Sequence, residues 1–250
     1  MLDVSQSLIA FDDEKRRQYA ELFGVAPEEV IIVGVDEAGR GPLAGPVAAG
    51  AVAVRCGTGI VGVNDSKKLS EKRRNKLREE IRENTLANSV DLVPAKIIDS
   101  VNILEATLFA MRNAVYCCIE TAFPDVRESA KPLPIVILVD GNKKFENNDL
   151  IQETVVGGDA KSFAIACASI MAKTVRDEYM INHIAAEYPD YAFDKHKGYG
   201  TREHIAAINK YGLCSEHRRT FVKKILAKQQ AAQAAKLAEV AKQEVEDYPF

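Results

Sequence analysis

The chain has 250 residues, which is enough for one large domain or for one domain with appendages. Its 33 Lys and Arg against 36 Asp and Glu leave a net charge of −3, so no global basic excess marks a nucleic-acid-binding protein. Local clustering of cations would still allow such binding. The N-terminal residues lack the apolar core of a signal peptide, and the longest apolar run, 47–54, is too short to span a membrane. We therefore expect a cytoplasmic globular protein whose five cysteines are reduced and buried.

The hydrophobic pattern predicts helices and strands in alternation. In chain order, the predicted elements are a helix at 12–23 ended by Gly24, strands at 30–36 and 47–54, a charged helix capped by Ser70, a short strand at 89–93, a helix at 103–122 capped by Asn102, strands at 135–139 and 155–156, a long helix at 162–183, a loop at 188–200 and helices at 202–211 and from 220. The short connection after the first strand predicts an antiparallel hairpin, and the order as a whole predicts an α/β domain with a mixed sheet.

One face of the predicted long helix carries small residues. Ala164, Ala168 and Ala172 recur every four residues, so they lie on the same side of a helix. Such a face predicts that this helix sits close to the sheet.

The most informative segment is residues 34–46, GVDEAGRGPLAGP. Asp36 and Glu37 follow a buried strand and precede a glycine-rich turn that contains Arg40. Because side chains alternate between the faces of a strand, we expect that only a distortion or a turn lets both carboxylates reach one ion. The alternative is a solvated turn after the strand.

Two further acids follow predicted strands, each beside glycine. They are Asp140, for which a turn-forming Asp-Gly pair is the alternative, and Asp159, for which a helix N-cap is the alternative. Carboxylates brought together repel one another, and a divalent cation relieves that repulsion. No His or Cys at zinc-ligand spacing accompanies them, so Mg²⁺ or Mn²⁺ fits better than zinc. Two such ions would support phosphodiester hydrolysis.

Basic residues occur near each of these acids. They are Arg40, Lys67, Lys68, Lys143, Lys144, Lys161, Lys195, Lys197, Arg218 and Arg219. A solvated surface explains any single one of them, but together they suit a polyanionic substrate. Tyr199, within this basic context, is placed to stack on a sugar or a base, with a half-buried loop tyrosine as the alternative.

Seven segments, in order, resemble the bacterial ribonuclease HII family, the type 2 ribonucleases H, over about residues 30–225. They are GVDEAGRGPLAGPV (34–47), NDSKKLS (64–70), VNILEATLFAM (101–111), VDGN (139–142), GGDAKSFAIACASIMAKTVRD (157–177), HKGYGT (196–201) and HRRTF (217–221). The resemblance implies an α/β fold with a ribonuclease H-like mixed sheet flanked by helices and a C-terminal helical extension. We expect a catalytic domain at 30–200, an N-terminal helical extension at 1–29 and a C-terminal helical region with a peripheral tail at 201–250, although residues 1–29 and the tail after about 225 show no clear family pattern.

The resemblance also assigns roles to residues. The metal-binding and catalytic acids are Asp36, Glu37, Asp140 and Asp159. The backbone of Gly39, Arg40 and Gly41 would read the ribonucleotide 2′-hydroxyl, and Tyr199 would stack at the junction sugar. Asn64, Ser66, Lys67 and Lys161 resemble positions that contact phosphates or support the site. Asp177 lies deep in a helix, where a structural role and a pair with Lys173, four residues away, are expected.

The implied activity is endonucleolytic cleavage of the RNA strand of RNA–DNA hybrids, and nicking on the 5′ side of single ribonucleotides in duplex DNA, with Mn²⁺ or Mg²⁺. The products would be 5′-phosphate and 3′-hydroxyl ends. We expect a monomer, and the resemblance leaves a replication clamp open as a partner.

Two rival interpretations stay open from the residues. A nucleotide-binding module would use Gly39, Gly41 and Gly45 as a dinucleotide turn, but Pro42 removes a backbone donor and the next element reads as a strand, where a Rossmann turn needs a helix. A non-catalytic hybrid-binding protein of the same fold is the second rival, and the presence of all four acids argues against it.

Overall fold

The computed structural model describes residues 4–125, 133–146 and 150–223, together with residues 226, 227 and 231. Five strands form one mixed sheet in the order β3-β2-β1-β4-β5. The strands are β1 (Ile31–Ala38), β2 (Val47–Val54), β3 (Ala87–Val93), β4 (Ile135–Asp140) and β5 (Ile151–Val155). β1, β2 and β3 pair antiparallel, whereas β1–β4 and β4–β5 are parallel. The predicted hairpin and mixed sheet are confirmed.

Helices cover both faces of this sheet. They are α1 (Val4–Phe23), α2 (Glu71–Asn84), α3 (Ala95–Val101), α4 (Ile103–Ala122), α5 (Phe163–Tyr179), α6 (Ala185–Glu187), α7 (Phe193–His196) and α8 (Arg202–Tyr211), with one π-helical turn, Met180–Ile184, joining α5 to α6. In the described ranges no helix combines the length and the apolar character needed to cross a membrane.

Alternating side chains of the strands supply two separate cores. On β1, Ile32 packs with the side that carries α1, α2 and α5, whereas Val33 packs with the side that carries α3 and α4. β4 behaves in the same way, with Leu138 on the first side and Val139 on the second. The sheet is thus covered on both faces, and its three inner strands, β2, β1 and β4, are buried almost throughout.

The small-residue face of α5 does bring that helix close to the sheet. A Cβ on Gly34 would lie 2.1 Å from the carbonyl carbon of Ala164, and one on Gly50 would lie 2.5 Å from the carbonyl oxygen of Ala168. No side chain fits in either place, so glycines on the strands and alanines on the helix together set the spacing.

Both predicted helix caps are confirmed. The Ser70 hydroxyl accepts a hydrogen bond from the Arg73 N–H at the start of α2, and the Asn102 side chain accepts from the N–H groups of Leu104 and Glu105 at the start of α4.

Several predicted boundaries differ from the observed ones. α1 begins at Val4 rather than at 12, because Leu8 is buried on the same face as Asp12 and Arg16, whose charges hide the apolar pattern. β5 lies at Ile151–Val155 rather than at 155–156, since the polar residues Gln152, Glu153 and Thr154 break the apolar run. β3 begins at Ala87 rather than at 89, and α3 and α7 are helices that the pattern does not predict. The predicted tail after about 225 lies almost wholly outside the described residues.

The cysteines are all free thiols. Cys118 and Cys167 are buried as expected, but the expectation is wrong for Cys56 and Cys117, which are exposed. The two adjacent residues Cys117 and Cys118 lie on different sides of α4, because neighbouring positions on a helix do not share a face.

Candidate metal and nucleic-acid site

Three carboxylates meet where β1 and β4 end. Asp36, Glu37 and Asp140 each offer an oxygen, and these oxygens lie within 4.8 Å of one another. The parallel register explains the meeting, because Val35 pairs with Val139 and the next residues along the two strands are Asp36 and Asp140. An all-oxygen group of this kind is what Mg²⁺ or Mn²⁺ prefers.

The expected distortion between Asp36 and Glu37 is wrong. β1 keeps regular antiparallel pairing with β2 through Asp36, Glu37 and Ala38. The two side chains leave opposite faces of the strand: Asp36 bonds to α5, and Glu37 lines a cleft beside α4. They still approach because β4 stops at Asp140, so the longer Glu37 side chain reaches around the open end of the sheet.

Burial and mutual repulsion govern the charge of this group. Burial is the main cause that raises the pKa of Asp36 well above its usual value, and the nearby carboxylates of Glu37 and Asp140 raise it further. Burial also raises the pKa of Glu37, although Arg40 acts against that shift. The Arg40 Nη1 lies 3.4 Å from the Glu37 Oε1. The site is therefore short of positive charge, and a bound cation would supply it.

Two buried serines support Asp36. Ser169 of α5 hydrogen-bonds to the Asp36 carboxylate, which lowers the pKa of Asp36. Its Oγ also lies 2.8 Å from the Oγ of Ser66. Ser66, predicted to contact phosphate or to support the site, is thus buried beside Ser169, and its role stays a prediction.

Asp159 lies beside the group of three carboxylates. It sits in a one-turn 3₁₀ helix, Gly158–Ala160, and the N–H of Gly158 donates a 2.6 Å hydrogen bond to the Asp140 Oδ1. The N-cap of α5 is Ser162, so the N-cap interpretation of Asp159 is wrong. The structure brings three of the four predicted acids within one ion's reach and holds the fourth adjacent to them.

Lys67 lies against Asp159. Its Nζ is 3.2 Å from the Asp159 Oδ2, and its side chain is otherwise 81% exposed. Partial burial lowers the pKa of Lys67, but the charge of Asp159 outweighs it, so the net shift is upward. Lys67 is thus a solvent-facing cation beside Asp159, and its role toward phosphates stays a prediction.

The turn at 39–41 lies next to Tyr199. A methyl group placed on Gly41 would be 4.0 Å from the Tyr199 Cε1, and the Tyr199 ring is 42% exposed. Two cations lie beside this ring: Lys173 Nζ is 5.8 Å and the Arg176 guanidinium carbon 6.0 Å from its centre. The ring and the turn therefore share one surface near the acids. The predicted Lys173–Asp177 pair is confirmed at 2.8 Å.

Asn64 and Lys161 have local partners. The Asn64 Oδ1 accepts a 2.8 Å hydrogen bond from the Asp65 N–H, and the Lys161 Nζ donates one of 2.7 Å to the Val156 carbonyl. Neither side chain bonds to the acids, and their roles toward phosphates stay predictions.

Two arginines, Arg176 and Arg218, are fully buried beneath this surface. The sequence pattern did not single out Arg176, and the interpretation of Arg218 as a cation that faces a polyanion is wrong. A signal for Arg176 was present, because the series Ala164, Ala168 and Ala172 continues to it at the same four-residue spacing on the face that lies against the sheet.

An open cleft of about 260 Å³ runs from the acids along α4. Its walls combine acids, cations and apolar side chains, which are Glu37, Arg40, Leu104, Thr107, Leu108, Met111, Asp140, Asn142 and Lys143. Clustered carboxylates beside cations in an open cleft define the class of site that hydrolyses phosphodiesters with divalent cations.

Comparisons with known proteins agree with that class. The family model described as Ribonuclease HII matches residues 33–228. The ribonuclease HII of Caldicellulosiruptor bescii is 50% identical over 196 residues, which cover 78% of this chain and 88% of that protein. The ribonuclease HII of Clostridioides difficile is 44% identical over 217 residues, covering 86% and 80%. The chain therefore belongs to the ribonuclease HII family, and it is a hydrolytic nuclease of the ribonuclease H type.

Solved structures show the same fold. Ribonuclease H2 from Pyrococcus horikoshii has a TM-score of 0.58 at 24% identity, covering 80% of this chain and 98% of that one. Bst-RNase HIII in complex with Mn²⁺ has a TM-score of 0.55 at 16% identity, covering 78% and 65%. The RNase HII in a PCNA complex from Archaeoglobus fulgidus has a TM-score of 0.51 at 24% identity, covering 76% and 94%. The predicted ribonuclease H-like architecture is confirmed.

Proposed function

We propose that this protein cleaves the RNA strand of RNA–DNA hybrids and nicks duplex DNA on the 5′ side of a single embedded ribonucleotide. The products are 5′-phosphate and 3′-hydroxyl ends. The observation that carries the proposal is the approach of the Asp36, Glu37 and Asp140 oxygens to within 4.8 Å of one another, at the open end of the sheet. The family to which the chain belongs supports the same activity.

Divalent cations fit these residues. The pKa values of Asp36 and Glu37 are raised by burial and by neighbouring carboxylates, and this unfavourable charge is what a cation relieves. Asp36, Glu37, Asp140 and Asp159 would hold Mn²⁺ or Mg²⁺, and the complex of Bst-RNase HIII with Mn²⁺ supports that choice. Two bound ions would activate the attacking water and stabilise the leaving oxygen.

Recognition of RNA falls to the neighbouring surface. The N–H groups of the turn formed by Gly39, Arg40 and Gly41 would meet the 2′-hydroxyl, the feature that distinguishes RNA from DNA. Tyr199 would stack on the sugar at the RNA–DNA junction. Lys67, with Asn64, Ser66 and Lys161 in supporting or phosphate-contacting places, completes the proposed substrate surface.

Asp140→Asn tests the proposal. With end-labelled duplex DNA that contains one ribonucleotide, the wild-type protein should make one nick 5′ to it with Mn²⁺ or Mg²⁺, and none with chelator. The variant should lose more than about 100-fold in rate, the upper end of the cost of losing an outer-shell metal partner, while it still binds a hybrid. Asp190→Asn, a change of the same chemistry at an exposed position, is the control.

Wild-type nicking by Asp140→Asn would break the assignment of the acids. Tight hybrid binding without cleavage by the wild-type protein, with either ion, would instead favour the non-catalytic rival. The nucleotide-binding rival has less support, since the turn after β1 leads into a strand, β2, where a dinucleotide site needs a helix.

Further expectations belong to this proposal. We propose the domain division at residues 30 and 201, a monomer, a cytoplasmic location and a replication clamp as a possible partner. The PCNA complex of the Archaeoglobus fulgidus protein supports the last of these by analogy of fold only.

A further inference from the structure

Two guanidinium groups lie buried beneath the turn at 39–46. They belong to Arg176, in α5, and Arg218, after α8, and both side chains are fully buried. Buried arginines are normally paired with carboxylates. Within the part of the chain that the structure describes, neither of these two forms an ion pair, and all their hydrogen bonds go to main-chain carbonyl groups.

Arg218 holds the beginning and the end of the turn. Its Nη2 donates to the carbonyl of Gly39 at 2.7 Å, its Nη1 to that of Arg40 at 2.9 Å and its Nε to that of Gly45 at 3.0 Å. The main-chain N–H of Arg218 donates to the Leu43 carbonyl at 2.8 Å. One residue thus fixes four carbonyl groups of a seven-residue stretch.

Arg176 joins this turn to the segment that carries Tyr199. Its Nε donates to the Pro46 carbonyl at 2.8 Å and its Nη2 to the Ala44 carbonyl at 3.3 Å. Its Nη1 donates to the Lys197 carbonyl at 3.1 Å, two residues before Tyr199. Movement of the turn is therefore coupled to movement of the tyrosine.

The direction of these hydrogen bonds decides where the N–H groups of the turn point. In a trans peptide the C=O and the N–H point in opposite directions. The carbonyl groups of Gly39 and Arg40 point inward to Arg218, so the N–H groups of Arg40 and Gly41, in the same two peptides, point outward. Tyr199, which is partly exposed, lies next to Gly41.

The glycine at 39 is required by the same packing. A Cβ on Gly39 would lie 2.0 Å from the Arg176 Nε, and Gly39 has a φ of +89°, which disfavours any other residue. A side chain at position 39 would therefore overlap the buried side chain of Arg176.

We propose that Arg176 and Arg218 are positioning residues that determine specificity for RNA. They turn the N–H groups of Arg40 and Gly41 toward the substrate and hold Tyr199 against them, without touching the substrate. This inference rests on the proposed function, because it deepens the role given there to the turn and to Tyr199.

The test compares binding of two duplexes that differ by one 2′-hydroxyl. Affinities of wild-type protein, Arg176→Lys and Arg218→Lys are measured for DNA containing one ribonucleotide and for the all-DNA duplex, with kcat and KM for nicking. Lysine keeps the charge but cannot reach three carbonyl groups at once. We expect the ratio of the two affinities to fall at least tenfold in both variants, with little change in affinity for the all-DNA duplex.

Arg82→Lys, an exposed arginine on α2, is the matched control and should keep the wild-type ratio. Should a lysine variant fail to fold, Gly39→Ala provides the second test, because its methyl group displaces Arg176. Hydrogen exchange at the N–H groups of residues 40 and 41 should change in each folded variant.

A folded variant that is less stable yet keeps the wild-type ratio would overturn the inference, because the arginines would then be structural only. A wild-type protein that fails to nick, or that shows no preference for the ribonucleotide, would defeat the proposed function instead. The two failures are distinguishable, since only the second is seen without any mutation.

Discussion

At the scale of single residues, the proposed metal site depends on side chains that do not themselves hold the cation. Ser169 bonds to Asp36 and to Ser66, and it keeps the most buried of the acids closer to its charged form. A carboxylate with a raised pKa binds a cation only after it loses its proton. Partners that favour the charged form are therefore part of the metal site.

Ser169→Ala should weaken metal binding. The loss of the hydroxyl removes a hydrogen bond to the Asp36 carboxylate, and outer-shell losses of this kind cost about 10–100-fold in metal affinity. Titration of Mn²⁺ by calorimetry measures the effect. Ser100→Ala, whose hydroxyl bonds only to the Ile97 carbonyl on the surface of α3, should leave the affinity unchanged. An unaltered affinity in Ser169→Ala would remove Ser169 from the support.

Tyr199→Ala should impair nicking at single ribonucleotides more than it impairs folding. The ring is 42% exposed, so its loss removes little packing, whereas stacking of an aromatic ring contributes about 1–3 kcal/mol per base. A loss of about 5- to 150-fold in kcat/KM is expected, with a nearly unchanged melting temperature. Tyr116→Ala, a similarly exposed tyrosine on α4, is the control. A wild-type nicking rate would count against the role of Tyr199.

At the scale of secondary-structure elements, the placement of the acids depends on how closely α5 approaches the sheet. Ser169, Arg176 and the Ser162 cap all lie on this helix or at its start. If α5 moved outward, Ser169 would leave Asp36 and the turn at 39–46 would lose Arg176. The lack of a side chain at Gly34 and at Gly50 therefore lets the core pack closely and also positions Ser169 and Arg176 at the site.

Gly34→Ala should be strongly destabilising. Its Cβ would lie 2.1 Å from the main chain of Ala164, so β1 or α5 must shift, and overpacking of this kind costs about 1–3 kcal/mol or more. Urea unfolding measures the loss. Gly57→Ala has no atom within 4 Å of the new Cβ and should cost only the ~1 kcal/mol of its left-handed conformation. Equal losses in the two variants would argue against the close approach.

The N-terminal helix also secures α5. The Asp12 Oδ2 of α1 accepts a 2.9 Å hydrogen bond from the Ala164 N–H, in the first turn of α5. On the same helix, Lys15 and Tyr19 both bond to Glu153 of β5. α1 thus fastens the two elements on either side of the loop that carries Asp159, although the family model begins only at residue 33.

At the scale of the whole molecule, a neutral histidine pair ties α8 to the segment around Tyr199. The His204 Nε2 lies 3.1 Å from the His217 Nε2, and the His204 Nδ1 lies 2.9 Å from the Tyr199 carbonyl. The His204 Nδ1 must donate to that carbonyl, so the neutral pair requires His217 to donate through Nε2. The His217 Nδ1 then accepts from the Cys214 N–H.

Acid should weaken this pair. Burial lowers the pKa of His204 and of His217 to about 4, from 6.5 in the unfolded chain. Their contribution to stability is complete above pH 6.5 and is lost as the pH falls toward 4. Between pH 7 and 5, the stability advantage of the wild-type protein over His217→Gln should shrink by about 2 kcal/mol, at 1.4 kcal/mol per pKa unit.

Urea unfolding at the two pH values measures this difference. His183→Gln, the same change at an exposed position, is the control. A constant offset for His217→Gln between the two pH values would mean that His217 is not held neutral by the fold.

Much of the fold and the site follows from local sequence. Apolar runs specify β1, β2 and β4, Ser70 and Asn102 specify two helix starts, and the positions of Asp36 and Asp140 at strand ends predict that these carboxylates meet. The same reasoning fails for charged residues on buried faces. Asp12 and Arg16 interrupt the apolar pattern in the first half of α1, and the pattern predicts a surface position for Arg218, which is buried. Hydrophobic periodicity detects apolar residues only. It does not identify a charged side chain that is buried and hydrogen-bonded to main-chain carbonyl groups.

The sequence by itself determined the family, the mixed sheet and the meeting of Asp36 and Asp140 at neighbouring strand ends, because each follows from residue type and spacing. Only the tertiary structure decided that Glu37 reaches around the end of an undistorted strand, and that Arg218 faces inward. Those outcomes depend on where β4 stops relative to β1 and on which carbonyl groups are left without partners. Both are properties of segments far apart in the chain, which no local pattern encodes.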